Sequence, residues 1–197
     1  MNADILLKQI EFIKEIDKIK YIERKTKLFN SDRRENDAEH SWHLAMMALV
    51  LAEHANEDID ILKVIKMVLI HDIVEIDSGD IFFYDADNGH NNTEAELKAA
   101  KRIFGILPAE QAEELINIWL EFEDAETAEA RFAKSLDRFE PLLQNYSNKG
   151  GTWQEFDVSH DMVYGMKRII KDGSSSIWQY AEKFINDSVD QGYLKRD

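Results

Sequence analysis

The sequence predicts an all-α protein: a compact single-domain bundle of about eight helices over residues 1–197. Apolar residues recur at helical spacing, three and four apart, along most of the chain. Only two prolines and eight glycines interrupt it. No β-hairpin signal, internal repeat or low-complexity tract is apparent.

The elements follow in order. Ile5, Ile10, Ile13, Ile16 and Ile19, with charges between them, predict an opening amphipathic helix over 3–20. The polar, basic stretch ERKTKLFNSDRREN then reads as a loop. Asn36 followed by Glu39 forms a capping-box pair and opens a helix from Asp37 to Ala55. Asp58 or Asp60 caps the next helix, which carries His71-Asp72 near its C-terminal end and stops at Ser78-Gly79-Asp80. Residues 81–92, aromatic and then turn-rich, read as a loop placed to order over a site. Helices follow over Thr93–Phe104, from a first-turn Pro108 to Glu123, and over Thr127–Tyr146. Asn148-Lys149-Gly150-Gly151 is a break, and 159–171 and 175–190 complete the bundle. Pro141 clashes with the carbonyl of Asp137, so a kink or loosened turn is expected there, aiming that carboxylate.

Composition narrows the function. Hydrophobic residues make up 44% and charged residues 32%, as in ordinary globular proteins. There are no cysteines, which excludes disulfides and thiolate zinc sites. The N-terminus lacks an apolar signal-peptide core, and no apolar run is long enough to span a bilayer. A cytoplasmic location without membrane association is therefore expected. A net charge of −15 repels duplex nucleic acid, whereas a small phosphorylated substrate needs only local positive charge.

The most informative feature is His71-Asp72, which closes the apolar run Val64-Ile65-Lys66-Met67-Val68-Leu69-Ile70. A charge in such a place must be paired or bound to a metal. His40 lies at the start of the preceding helix and Asp137 inside a later one. Two imidazoles and two carboxylates suit one divalent transition-metal ion (Mn, Co, Fe, Ni or Zn), with positions left for water or substrate. Glu75 lies four residues from His71 and three from Asp72, within reach of the same face. That placement suits a proton donor at a leaving oxygen. His43 shares a face with His40 and reads as packing or as a hydrogen bond to a ligand, ahead of a fifth ligand or part of a second metal site. His160-Asp161 reads as a helix start.

These residues carry a resemblance. AEHSWHLA around His40, HDIVEIDSGD from His71 and SLDRFEPL around Asp137 together resemble the HD-domain superfamily of metal-dependent phosphohydrolases. Within it the chain is most similar to the branch holding the bacterial 5′-deoxynucleotidases and related small HD hydrolases. The resemblance implies an all-α fold, with His40, His71, Asp72 and Asp137 as metal ligands. It makes Glu75 the acid or base, with Asp80 holding the substrate sugar or the catalytic water, and it implies a homodimer. The chain departs from the nucleotidases where they carry an Arg-Trp pair; the nearest positions here read Lys25-Thr26. Lys25, Arg33 and Arg34 are the candidate phosphate contacts.

The expected function is hydrolysis of a small phosphomonoester, a (deoxy)nucleoside 5′-monophosphate above others. The alternative is a metal-containing nucleotide sensor without turnover. A third reading, a helical protein stapled by a metal, predicts loss of fold rather than of activity when a chelator is added.

Overall fold

A computed structural model describes residues 3–80 and 93–196. Among them the chain is helical apart from one two-stranded sheet. Helix α1 (Ala3–Ile16) runs into a 3-10 turn over 17–21, close to the expected span. Phe12 is its buried residue, while Ile5, Ile10 and Ile13 are exposed and Ile16 and Ile19 meet the core.

The basic stretch expected as a loop is a β-hairpin instead. Strand β1 (Glu23–Lys27) pairs antiparallel with β2 (Arg34–Asn36), Glu23 opposite Asn36 and Lys27 opposite Arg34, with an irregularity between. The usual signal is missing because the side chains turned inward are polar. Thr26 and Glu35 are buried and Arg24 mostly so, with Arg24 facing Glu35, so no apolar alternation marks the strands.

Helix α2 (Asp37–Leu51) begins as expected, with Asn36 accepting from the Glu39 amide and Glu39 accepting from the Asn36 amide. Such a cap contributes about 1 kcal/mol. Asp60, not Asp58, caps α3 (Ile61–Ile70), whose Val64, Met67, Val68 and Ile70 are buried. At His71 the chain tightens into a 3-10 turn over 71–74 before the short α4 (Glu75–Ser78). Gly79, at φ 75°, stops it. The loop expected over 81–92 lies outside the described residues.

Helices α5 (Thr93–Phe104) and α6 (Ala109–Asp124) follow; Pro108 is extended and precedes α6 as its cap rather than entering it. Helix α7 (Ala128–Ser147) crosses Pro141 without interruption, so the loosened turn expected at Asp137 does not break the helix. Packing on several sides holds it: α7 touches α2, α3, α6, α8 (Gly151–Glu155), α10 (Ile170–Gly173), α11 (Ser175–Asp190) and β1. Ala130 and Ala133 are buried where its neighbours approach. The closest approach is at Gly173, where a Cβ would strike the Arg131 carbonyl and the Ser135 hydroxyl. The segment expected as one helix over 159–171 is two, α9 (His160–Lys167) and α10. The additional short helices raise the number above the expected eight and leave the class unchanged. Among the described residues no helix is long and apolar enough to cross a membrane.

Candidate metal centre

Three helical segments deliver the four residues picked from the sequence. His40 sits in the first turn of α2, His71 and Asp72 in the 3-10 turn after α3, and Asp137 in the middle of α7. All four are buried. The two imidazole rings are 5.6 Å apart between centroids. Asp137 Oδ1 lies 3.2 Å from His40 Nε2 and 3.7 Å from His71 Nε2, and Asp72 Oδ1 lies 3.0 Å from His71 Nε2. His40, His71 and Asp72 each offer a ligand atom within 4.8 Å of the others. These positions were expected from the sequence to converge, and they do.

The surroundings orient each group. His71 Nδ1 lies 3.0 Å from the Val68 carbonyl, which only accepts, so that nitrogen carries the proton and Nε2 presents its lone pair to the cluster. Among the described residues that Nε2 makes no well-aligned hydrogen bond although it is buried. The ring rests against Phe122, 4.9 Å between centroids, and the Trp119 indole N–H donates to the His71 carbonyl at 3.2 Å. Each carboxylate keeps one oxygen on an arginine and turns the other to the imidazoles. Arg24 Nη1 donates to Asp72 Oδ2 at 2.8 Å, and Arg138 Nη1 donates to Asp137 Oδ2 at 2.7 Å.

The electrostatics agree with this arrangement. Burial would raise both carboxyl groups, but His71 and Arg24 hold Asp72 down, and Arg138 with the two imidazoles holds Asp137 well below the usual range. Burial pulls the imidazoles the other way and is outweighed. Asp72 and Asp137 push His71 up to about 9, and Asp137, Glu140 and Glu35 raise His40 well above its ordinary value. Two anionic carboxylates therefore favour positive charge at this point, which a divalent cation supplies as well as a proton does. Once the His71 proton is displaced, its Nε2 lone pair and the ionised oxygens fit such an ion.

A second group of carboxyls shares Arg24 with the first. Asp37, Glu75 and Asp80 bring their oxygens within 4.8 Å of one another. Arg24 Nη1 reaches Asp37 Oδ1 at 3.2 Å. Burial, reinforced by Asp72, pushes Asp37 up to about 7 and lifts Glu75 well above the usual carboxyl range. Burial also raises Asp80, against the pull of Arg24.

The structure treats the three basic candidates differently. Lys25 is exposed on β1, and its charge is felt at Asp80. Arg33 is taken up by a two-pronged pair with Glu39, both contacts at 2.9 Å. Arg34 binds Glu155 and the Lys25 carbonyl. Both arginines expected as phosphate contacts are thus engaged by carboxylates, Glu39 and Glu155. Arg24 and Arg138 touch the carboxylates of the site directly, and neither was expected from the sequence. Glu35, Asp37 and Glu140 were also missed. Helical spacing could have found two of these, since Asp37 stands three residues before His40 and Glu140 three after Asp137. His43 Nδ1 lies 3.2 Å from Glu140 Oε1. His160 begins α9, as expected.

Comparison with known proteins bears on this geometry. Residues 16–178 match the HD domain family. The chain is similar to the 5′-deoxynucleotidase HDDC2 of Bos taurus, 31% identical over 154 residues that cover 75% of this chain and 73% of that one. It is 34% identical to the HDDC2 of Dictyostelium discoideum over 143 residues, 70% and 75% of the two chains. Among solved structures it is similar to a predicted metal-dependent phosphohydrolase from Magnetospirillum magnetotacticum, with a TM-score of 0.93 and 49% identity over 97% of this chain and 96% of the other.

Proposed function

The chain belongs to the HD-domain family, and we propose that it is a metal-dependent phosphohydrolase that releases phosphate from a (deoxy)nucleoside 5′-monophosphate. The observation that supports this most is the convergence of His40, His71, Asp72 and Asp137, with an imidazole lone pair and two ionised oxygens turned inward. On this reading those four residues hold one divalent ion, Mn, Co, Fe, Ni or Zn. When bound, such an ion polarises a phosphoryl oxygen and lowers the pKa of a coordinated water.

The remaining chemistry belongs to the chain itself. Glu75, whose pKa burial and the neighbouring Asp72 and Asp37 raise well above the usual carboxyl range, donates a proton to the leaving alkoxide. Asp80 beside it holds the sugar or the attacking water. Arg24, fixed between Asp72 and Asp37, places a permanent positive charge next to the reacting phosphate, and Lys25 adds a mobile one at the rim. Arg33 and Arg34 would have to release Glu39 and Glu155 to join them. The same reading puts the enzyme in the cytoplasm as a homodimer, which light scattering of the purified protein checks.

The test is a substrate screen on metal-depleted protein reloaded with each of the five ions. Phosphate release from nucleoside 5′-monophosphates, dependent on added ion and faster than from simple sugar or aryl phosphates, is the expected result. Tight nucleotide binding without turnover under every ion would overturn it.

A further inference from the structure

Behind His40, away from Asp137, lies a buried polar network that the chemistry above does not use. Glu140 is fully buried, and Glu35, at 1% exposed, nearly so. His40 Nδ1 lies 3.3 Å from Glu140 Oε2 and 3.5 Å from Glu35 Oε2. Glu140 Oε1 lies 3.2 Å from His43 Nδ1, and Glu35 accepts from the Gln144 amide at 2.9 Å; among the described residues the Glu140 oxygens and His40 Nδ1 stand within ion-pair distance without a well-aligned hydrogen bond. Glu140 and Gln144 stand one and two turns beyond Asp137 on α7. One helix therefore brackets the His40 ring, with Asp137 at Nε2 and Glu140 at Nδ1.

An imidazole between two carboxylates has a choice of tautomer. A proton on Nε2 would point at Asp137 and block that nitrogen for a cation. A proton on Nδ1, donated to Glu140, leaves the Nε2 lone pair beside Asp137 Oδ1. His71 settles the same choice with the Val68 carbonyl. His40 has no such backbone acceptor among its described contacts and relies on side chains. Burying a carboxylate is costly, and this one sits where its negative charge strengthens His40 as a donor.

We propose that Glu140 is a positioning residue for the metal centre: it fixes His40 in the Nδ1-protonated form and, locked by His43, holds the ring on the ion. This rests on the reading of His40 as a ligand. Losing such a partner lowers metal affinity about 10–100-fold.

Competition of Mn(II) or Co(II) against a chromophoric chelator tests it, run on the parent, Glu140→Gln and Glu140→Asp, with the far-UV spectrum and melting temperature as controls for fold. The expected result is a folded Glu140→Gln whose affinity falls by about one to two decades, with partial recovery in Glu140→Asp. A folded Glu140→Gln that binds either ion as tightly as the parent overturns the proposal. Should Glu140→Gln fail to fold, imidazole nitrogen NMR of the parent decides: a proton on His40 Nδ1 supports the proposal, and one on Nε2 in the ion-loaded protein sinks it. A parent that binds neither ion would instead overturn the proposed function.

Discussion

Two groups of carboxyls share Arg24 and behave oppositely. Asp72 and Asp137 each have an arginine on one oxygen and imidazoles near the other, and stay ionised. Asp37, Glu75 and Asp80 crowd one another with Arg24 as their common cation, and are driven toward the protonated form. The side-chain chemistry is the same; the count of positive neighbours per carboxylate differs. Anionic oxygens suit a cation and a protonated carboxyl suits a leaving group, so one buried site can bind metal and deliver a proton.

The largest expected effect comes from the first group. Asp72→Ala loses both bound metal and phosphate release, to the background of the assay, as elemental analysis and a phosphate assay will show. Parental turnover in that variant would remove the distinction between the two groups. Glu75→Gln, in the second group, should retain its metal and lose about 10²–10⁴-fold in kcat, the usual contribution of a positioned proton donor. On the proposed reading the acid form of Glu75 is the active one, so kcat in the parent should fall as pH rises through the elevated pKa. That alkaline limb should vanish in the variant.

Arg24 joins the two groups, so Arg24→Gln leaves Asp72 and Asp37 short of a partner together. Removing one member of a buried ionic cluster costs about 3–5 kcal/mol, to be read by urea denaturation of the ion-free protein. A loss below about 1 kcal/mol would mean that the clusters are solvated separately.

Protons and metal compete at His71, whose pKa is raised from 6.5 to about 9. Below 6.5 the protonated imidazole contributes its full stability to the ion-free fold; that contribution fades as pH rises through about 9. Apparent metal affinity moves the other way, strengthening over the same interval as the imidazole loses its proton. Melting curves and chelator competition between these limits should show opposite slopes. The smallest effect belongs to an exposed pair outside both groups. Arg33→Gln breaks the fork with Glu39 and should leave melting temperature and kcat/KM close to those of the parent, because solvent screens such an exposed pair. A marked rise in KM would return Arg33 to the phosphate.

The sequence carried much of this. His71-Asp72 at the end of an apolar run, His40 behind a capping box and Asp137 on a helical stripe are local signals, because helical periodicity fixes which side chains share a face. By itself the sequence determined the helical class, most helix boundaries and the identity of the four convergent residues. The tertiary structure decided what those residues touch. The Arg24–Asp72, Gln144–Glu35 and His40–Glu140 contacts join positions far apart in the chain, and no periodicity encodes such a pairing. The hairpin was hidden because its buried side chains are polar, with Arg24 facing Glu35. Protonation follows the same division: a carboxyl's type is written in the chain, but its charge depends on which cations folding brings within a few ångströms.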